Sequence, residues 1–275
     1  MVGLVALSLT TRERNMLNLK GKTIVVTGSA SGIGAATVEC LQAHGAHVVG
    51  MDIREEGRSD SFVQVDLGSR KSIDEAAARL PEKLDGLANV AGLAPTVPAA
   101  DVIRVNLVGT LHLTHGVVPR LTDGSGIVML SSIAAYHWRQ SVDQIREALD
   151  LSFAKVDAFV AKHDIDAQPG RSYFVTKEAL LAWCITHRRT WIDRRIRANS
   201  IAPAAVSTPL LDAFSSIMGD RAQDDARVVE RSGAPADIAP VVAFLLSDDA
   251  AWIRGANIPV DGGVAAHYLA QENGL

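Results

Sequence analysis

Tyr173 and Lys177 lie four residues apart in a segment with helical patterning. This spacing places a phenol and an ammonium on one face of a helix. A nearby ammonium favours the phenolate, so we expect Lys177 to lower the pKa of Tyr173 toward the working pH. A phenol tuned in this way can give a proton to a carbonyl oxygen or take one from an alcohol. The pair therefore predicts a proton-transfer site.

Two further polar residues lie where such a site would need them. Ser132 follows the apolar run 126–130, which has the pattern of a buried strand. Ligands of open α/β sheets bind outside the carboxyl ends of the strands, so the Ser132 hydroxyl is placed to hold a substrate oxygen. Asn106 is an unusual polar residue within an apolar helix pattern. We expect it to anchor a water molecule that links Lys177 to solvent.

A glycine-rich turn with the sequence TGSASGIG contains Gly28, Gly32 and Gly34. It follows the β-branched run 23–26 and precedes a helix pattern over residues 35–44. Glycines let the backbone approach a diphosphate, and the start of a helix offers N–H donors and partial positive charge. A strand, a turn and a helix in this order are the context that a dinucleotide site requires. The alternative is a tight turn with a purely structural role.

Acidic residues end the second and third predicted strands. Asp52 follows the glycines at the distance where a carboxylate accepts hydrogen bonds from ribose hydroxyls in dinucleotide-binding folds. The same charge repels a 2′-phosphate, which favours NAD over NADP, although Arg54 nearby could soften that preference. Asp66 is placed to face an adenine ring. Either carboxylate could instead be an ordinary acidic residue at a strand end.

Short buried strands alternate with helices along most of the chain. The predicted strands cover residues 23–26, 47–51, 62–65, 86–91, 126–130, 197–201 and 257–260. The predicted helices cover residues 35–44, 72–80, 102–121 and 173–192. This alternation indicates right-handed βαβ units. It predicts an α/β fold, a single-domain Rossmann-type doubly wound parallel sheet of about seven strands with helices on both faces.

No linker or charge block divides the chain, so we expect one domain over residues 20–268. Residues 1–19 are expected to form an N-terminal extension, and residues 269–275 a C-terminal tail. The first residues carry no basic segment ahead of their apolar run, so neither a secretory signal nor a membrane span is predicted.

One segment interrupts the alternation, a helical insertion over about residues 137–170 that precedes Tyr173 and has no strand pattern. Its apolar residues fall close to a helical stripe, formed by Val142, Ile145, Leu149, Phe153, Val156, Phe159 and Val160. Such a stripe must be buried on something. The candidates are a partner subunit, the mouth of the active site, where the insertion would act as a lid, and the core of the same chain.

Bulk properties exclude several classes of function. The chain has 275 residues, with 27 Lys and Arg against 31 Asp and Glu and a net charge of −4, which argues against nucleic acid as a partner. We expect a solvated or subunit-facing helix surface for the one basic cluster, Arg188, Arg189, Arg194, Arg195 and Arg197. Cys40 and Cys184 lie in apolar helix patterns and are expected to be reduced thiols of a cytoplasmic protein. No cysteine or histidine spacing indicates a metal site.

Taken together, these residues make the chain similar to a short-chain dehydrogenase/reductase of the compact type, over about residues 20–268. The motifs that carry the resemblance are residues 27–34, 89–92, Asn106, Ser132, Tyr173 with Lys177, residues 199–208 and 261–263. The separation of Ser132 from Tyr173 is much longer than is usual in the family. The insertion resembles the subgroup of bacterial 3α-hydroxysteroid dehydrogenase/carbonyl reductases and coniferyl alcohol dehydrogenases, in which it is associated with an altered subunit interface.

The resemblance implies an NAD-dependent enzyme that interconverts a secondary, aryl or cyclic alcohol and its carbonyl compound, with a hydroxysteroid or aromatic alcohol as the type of substrate. It implies a catalytic tetrad of Asn106, Ser132, Tyr173 and Lys177, and assembly as a homodimer or homotetramer. The expected cofactor-binding residues are Gly28, Ser31, Gly32, Ile33, Gly34, Asp52, Ile53, Asp66, Leu67, Asn89, Ala91, Gly92, Pro203, Val206 and Thr208, together with Tyr173 and Lys177.

The segment after the sixth predicted strand departs from the family pattern in one place. The usual Pro-Gly reads Pro203-Ala204 here, so the backbone near a nicotinamide is expected to be slightly displaced. The resemblance implies that Val206 and Thr208 hold the nicotinamide carboxamide. It also makes about residues 209–233 a substrate loop, whose apolar residues suit a ring-bearing, poorly charged substrate. The alternative for this segment is a helix packed on the body of the protein.

Two other classes of function compete with an oxidoreductase. A non-catalytic dinucleotide-binding regulator or scaffold would use the same fold, but it has no need for all four residues of the tetrad. A serine hydrolase is disfavoured because Ser132 lacks the Gly-x-Ser-x-Gly pattern of a nucleophile elbow.

Overall fold

The computed structural model describes residues 17–55, 57–209, 211 and 227–275. Its centre is a seven-stranded sheet in the order β3-β2-β1-β4-β5-β6-β7, with every neighbouring pair parallel. The strands are β1 (Thr23–Thr27), β2 (His47–Asp52), β3 (Ser61–Gln64), β4 (Leu84–Asn89), β5 (Leu121–Leu130), β6 (Arg197–Pro203) and β7 (Asn257–Val260). The strand order reverses between β1 and β4, where ligands of doubly wound sheets bind. The predicted fold class is confirmed.

Helices cover both faces of this sheet. They are α1 (Gly32–Ala43), α2 (Arg70–Ala78), α3 (Ala99–Ile103), α4 (Thr110–Val117), α5 (Val142–Leu149), α6 (Val156–Lys162), α7 (Arg171–Thr186), α8 (Pro235–Leu246) and α9 (Val264–Asn273). A π-helical turn, Arg104–Gly109, joins α3 to α4. The predicted helix over 173–192 ends earlier than expected, at Thr186. No helix among the described residues is long and apolar enough to cross a membrane.

Two apolar clusters fill the space between the sheet and its helices. One lies under α1 and α8 and contains Val26, Val38 and Leu246. The other lies under α2, α4 and α7 and contains Val25 and Trp183. Strands buried on both faces need apolar residues at successive positions, which is why β1 and β2 show no polar alternation.

The insertion is buried against its own chain. Ile145 and Ala148 of α5 and Val156 and Phe159 of α6 belong to the same cluster as α7, and each is at most 3% exposed. The apolar stripe therefore packs as core, one of the three alternatives left open by the sequence. Leu149 and Phe153 pack against the same cluster but are half-buried, as is Val142.

The predicted boundaries differ from the structure at both ends. Leu19 was expected in an extension, but its side chain is fully buried, and its backbone N–H donates to His44 O at 3.0 Å. Helix α9 runs through position 268, the expected end of the domain. The rest of the predicted extension, residues 1–16, and most of the predicted substrate loop lie outside the described residues.

Arg197 does not belong to a solvated basic surface, as was predicted for its cluster. It begins β6 and is 2% exposed. Its guanidinium donates to four backbone carbonyls, of Leu245 (2.8 Å), Ala250 (3.0 Å), Ser247 (3.0 Å) and Gly124 (3.3 Å). Helix carbonyls near a C-terminus lack partners within the helix, so the side chain joins the end of α8 to the sheet. Burial lowers the pKa of Arg197.

We predict that Arg197→Met lowers the free energy of unfolding by about 3 kcal/mol or more, because it leaves four buried carbonyls without their donor. The exposed Arg189 provides the matched control, and Arg189→Met should lie within about 0.5 kcal/mol of wild type. Urea denaturation followed by circular dichroism measures both. Equal midpoints for the two variants would show that the guanidinium contributes nothing.

Candidate active site

Tyr173 and Lys177 occupy the face of α7 that lies against the end of β5. Tyr173 is 7% exposed and Lys177 is 3% exposed. The Tyr173 hydroxyl is hydrogen-bonded to Ser132. The Lys177 Nζ donates to Leu130 O at 2.7 Å and lies 5.2 Å from the centroid of the Tyr173 ring. The structure thus brings three of the four predicted catalytic residues together.

Burial displaces the pKa values of both groups toward their neutral forms. It raises the pKa of Tyr173 to about 12, against the opposing effect of the Ser132 hydrogen bond. It lowers the pKa of Lys177 to about 7. The prediction that the ammonium lowers the pKa of the phenol is wrong for the protein alone. Removing the phenolate from water outweighs any attraction to Lys177.

Serines at the end of β5 hold this arrangement in place. The Ser131 Oγ donates to Lys177 O at 2.9 Å, which ties the middle of α7 to the sheet. Ser132 begins a short 3₁₀ turn, and its Oγ accepts a hydrogen bond from the Ala134 N–H at 3.2 Å. The hydroxyl of Ser132 is therefore fixed on the side facing Tyr173.

Asn106 lies in the π-helical turn and is 1% exposed. Its Nδ2 donates to Leu93 O at 2.9 Å, and its Oδ1 accepts from the Leu93 N–H at 2.7 Å. Such turns place a side chain out of step with the regular helix and recur at functional sites. The amide is engaged by the backbone after Gly92, and its role as the anchor of a water molecule stays a prediction.

A groove of about 480 Å³ runs along the carboxyl ends of β1, β2 and β4. Twelve of the predicted cofactor-binding residues line it, namely Gly28, Ser31, Gly32, Ile33, Gly34, Asp52, Ile53, Asp66, Leu67, Ala91, Gly92 and Thr208. Ile53 is 58% exposed at this groove, which gives an apolar surface that a flat aromatic base can cover. Lys177 lies beside the groove, since its Nζ is 3.7 Å from the position of a Cβ at Gly92.

The glycine turn leaves no room for side chains. A Cβ at Gly34 would lie 1.9 Å from Gly28 O, and a Cβ at Gly28 would lie 2.8 Å from the Cα of Ala91. The Ser31 side chain makes no capping hydrogen bond to α1, so the N–H groups at the start of this helix are left for another acceptor. A diphosphate is such an acceptor, and the residues present therefore fit a dinucleotide.

The two strand-end carboxylates are held by backbone N–H groups. Asp52 accepts from Ala30 at 3.1 Å and from Arg54 at 3.0 Å. Asp66 accepts from Gly68 at 2.8 Å. The Arg54 guanidinium reaches across the groove to the Ser31 Oγ at 3.2 Å. Both carboxylates are therefore fixed in orientation at the groove, as a site that reads ribose and base requires.

Three predicted cofactor residues lie away from this groove. The Asn89 side chain is buried, its Nδ2 donates to Thr114 Oγ1 at 3.0 Å, and its Oδ1 has no hydrogen-bond partner among the described residues. Val206 lines a separate groove with Leu211 and Gly262. Pro203 ends β6 and is buried.

Sequence reasoning missed several residues that hold the site together. Thr27 Oγ1 accepts hydrogen bonds from the N–H groups of Val90 (3.0 Å) and Ala91 (3.1 Å), which joins the turns after β1 and β4. A buried threonine at the end of an apolar strand was the available signal. The contribution of Leu130 comes from its carbonyl, which no side-chain pattern reveals.

Sequence comparisons agree with this geometry. Residues 22–143 match the family described as short chain dehydrogenase, and residues 152–265 match the one described as enoyl-(acyl carrier protein) reductase. The coniferyl-alcohol dehydrogenase of Pseudomonas sp. (strain HR199 / DSM 7063) is 38% identical over 257 residues, which are 92% of this chain and 100% of the relative. The 3-alpha-hydroxysteroid dehydrogenase/carbonyl reductase of Comamonas testosteroni is 32% identical over 252 residues, 88% of this chain and 96% of the relative. The chain belongs to the short-chain dehydrogenase family.

A solved structure of this short-chain dehydrogenase family has the same overall fold. The 3-alpha-hydroxysteroid dehydrogenase from Pseudomonas sp. B-0831, complexed with NADH, superimposes with a TM-score of 0.78 at 30% identity. The match covers 91% of this chain and 99% of that chain. Our short-chain dehydrogenase is accordingly an oxidoreductase that interconverts alcohols and carbonyl compounds, and no observation favours the non-catalytic alternative.

We predict that alcohol oxidation by this dehydrogenase speeds up as the pH rises from about 7 to about 10, while carbonyl reduction does not. In the predicted tetrad the phenolate of Tyr173 takes the proton of the alcohol, and the pKa of Tyr173, about 12 in the protein alone, keeps the phenol largely protonated over that range. The phenolate fraction therefore grows with pH, and the proton-donating form stays available for reduction. Initial rates in both directions, measured at saturating cofactor, give the two profiles.

Tyr173→Phe is the control for this assignment. It should remove most turnover in both directions and leave the dissociation constant for NADH nearly unchanged, because the ring is kept and only the hydroxyl is lost. A variant that turns over at wild-type rates would show that Tyr173 is not the acid and base.

Proposed function

We propose that the protein is an NAD-dependent dehydrogenase that interconverts a ring-bearing secondary or aryl alcohol and its carbonyl compound. The observation that carries this proposal is the buried Tyr173 hydroxyl, hydrogen-bonded to Ser132 beside Lys177, at the edge of a dinucleotide-shaped groove. Similar proteins are a coniferyl-alcohol dehydrogenase and two 3-alpha-hydroxysteroid dehydrogenases, whose names denote ring-bearing alcohols.

A second groove next to Ser132 supports a substrate with an apolar body. It has a volume of about 800 Å³ and lies between the segment that follows Ser132 and helix α9. Most of its lining side chains are apolar or aromatic, among them Ile133, Tyr136, Trp138 and Leu269. Apolar walls with few polar groups are typical of sites for hydrophobic small molecules.

The roles of the site residues follow from their contacts. When bound, NAD supplies a nicotinamide ring that accepts or returns a hydride. In the oxidising direction Tyr173 takes the proton from the substrate oxygen, and in the reducing direction it gives that proton back. Ser132 holds the same oxygen by a hydrogen bond. Lys177 favours the phenolate when it is charged, and Asn106 keeps the backbone after Gly92 beside the Lys177 Nζ.

Each region of the groove is proposed to hold a different part of the cofactor. Gly28, Ile33 and Gly34 would receive the diphosphate at the start of α1, Asp52 the adenosine ribose, and Asp66 the adenine ring. Asn89, Pro203, Val206 and Thr208 are proposed to lie beside the nicotinamide. The chain as a whole is proposed to be one catalytic domain, cytoplasmic, and assembled as a homodimer or homotetramer.

A panel of substrates tests the function directly. Cyclic and aromatic alcohols should reduce NAD⁺ at least about tenfold more efficiently than linear alcohols of equal carbon number, because rings fill an apolar groove with less loss of conformational freedom. The measurement is kcat/KM from NADH absorbance. Tight NADH binding without turnover of any alcohol or ketone would favour the regulator or scaffold instead.

Asp52 is expected to set the preference for NAD. We predict that Asp52→Asn raises the ratio of kcat/KM for NADP⁺ to that for NAD⁺ by about tenfold or more, because the amide keeps an acceptor for one of the two backbone N–H groups but does not repel a 2′-phosphate. Asp66→Asn removes a charge elsewhere in the groove and should change this ratio little. Identical ratios in wild type and Asp52→Asn would show that the carboxylate does not discriminate.

A further inference from the structure

The insertion contacts both chain segments that carry the predicted tetrad. Helix α5 packs on α7, which bears Tyr173 and Lys177. Helix α6 packs on α3, immediately before the π-helical turn that bears Asn106. One stretch of chain, about residues 142–168, therefore spans two elements that are far apart in sequence and adjacent in the site.

The contact with α7 is a buried polar network centred on Arg171. The guanidinium forms a bidentate ion pair with Glu178, with N–O distances of 3.0 and 2.7 Å, and its Nε donates to Gln144 Oε1 of α5 at 2.9 Å. The side chains of Arg171 and Glu178 are 14% and 4% exposed. Bidentate, charge-assisted hydrogen bonds fix orientation as well as distance. Gln144 is thus held firmly to α7.

The network lies on the back of the catalytic helix. Positions seven apart return to nearly the same side of a helix, about 20° apart, so Arg171 and Glu178 share one face. Tyr173 lies about 140–160° around the helix from them, and Lys177 about 100–120°, so both side chains leave the helix away from that face. A cation in the first turn of a helix is unfavourable for the helix dipole, so the dipole does not explain the place of Arg171. The contacts of Arg171 with Glu178 and Gln144 explain its place.

The second contact fixes the segment that contains Asn106. Arg104, the first residue of the π-helical turn, donates to both carboxylate oxygens of Asp157 on α6, at 2.7 and 2.6 Å. Buried apolar residues beneath this pair, Val156 and Phe159, join α6 to the core. An exposed ion pair by itself contributes little to the free energy of folding. Here the Asp157 side chain lies on α6, which is already packed, so the pair only has to orient Arg104.

The two halves of the insertion are joined to each other. Glu147 of α5 accepts from Lys162 at 2.8 Å and from His163 at 2.9 Å, at the end of α6. These bonds lower the pKa of Glu147 and so favour its charged, accepting form. A continuous set of contacts therefore runs from α7 through α5 and α6 to the turn with Asn106.

We propose that residues 142–168 are a clamp that fixes α7 and the Asn106 turn relative to each other, with Gln144, Arg171 and Arg104 as positioning residues for Tyr173 and Lys177. This inference rests on the proposed dehydrogenase function. Catalysis by positioned groups is sensitive to displacements of an ångström or less, so loosening the clamp should lower kcat more than it weakens dinucleotide binding.

Gln144→Ala removes the acceptor on the insertion and leaves the ion pair within α7 intact. We expect kcat to fall about tenfold, with the KM for the alcohol and the dissociation constant for NADH within about twofold of wild type. Gln144→Glu keeps an oxygen that faces Arg171 and should restore most of kcat. Arg146→Ala, on the same helix, breaks an exposed pair with Asp143 and is the matched control, expected within about twofold of wild type.

Hydrogen exchange tests the clamp without relying on turnover. Because the two contacts are mechanically linked, Gln144→Ala should speed amide exchange in residues 104–109 as well as in 171–178. Asp157→Ala, at the other end, should speed exchange in residues 171–178. Two independent local contacts would give only local changes, and Arg146→Ala should change neither segment.

The outcomes separate the two proposals. Loss of kcat in Gln144→Ala together with exchange changes at both segments supports the clamp. Equal behaviour of Gln144→Ala and Arg146→Ala, or exchange changes confined to the mutated side, overturns it. A wild-type protein that oxidises no alcohol overturns the proposed function, and the exchange pattern still decides whether the clamp exists.

Discussion

The Lys177 ammonium is buried, and many contacts of the site hold it in that position. Its Nζ has a carbonyl partner in Leu130, but burial still lowers its pKa from 10.5 to about 7. Between these values the unfolded chain binds more protons than the folded one, so this group contributes stability that rises with pH through that window. Below pH 7 the unfavourable contribution of the buried charge is fully present. The packing around Lys177 must offset this unfavourable free energy. We therefore expect its neighbours to be held firmly in place.

Restraints around Lys177 come from different sides of its helix. On the sheet side, Ser131 binds the carbonyl of Lys177 itself. On the far side, Arg171 and Glu178 join the helix to the insertion. Beyond the ammonium, the backbone at Gly92 is held by Asn106 through the hydrogen bonds to Leu93. Helix, sheet, turn and insertion each contribute contacts around Lys177, and in the proposed clamp the long insertion supports the catalytic helix from outside the sheet.

The fold, and the proximity of Ser132, Tyr173 and Lys177, could be predicted from sequence because their signals are local. A strand buried on both faces appears in the sequence as an apolar run. The glycines that allow the backbone to approach a diphosphate closely appear in the sequence motif itself. The surface on which the insertion packs could not be predicted. An apolar stripe that contains Ile145 and Phe159 has the same pattern whether it packs on a subunit, a substrate or the chain itself. The burial of Arg197 was equally hidden, because its partners are backbone carbonyls with no side-chain signature. The loop predicted to cover the substrate lies mostly outside the described residues.

The burial that disfavours the Lys177 ammonium also determines which direction of proton transfer the protein alone favours. Desolvation favours the neutral form of both Tyr173 and Lys177, so the protein alone holds a phenol that is ready to donate a proton. The phenolate that oxidation would need becomes more favourable when further positive charge arrives nearby. An oxidised nicotinamide carries such a charge and a reduced one does not. The protonation state of Tyr173 would then follow the redox state of the bound cofactor, and a single buried pair could serve both directions of the reaction.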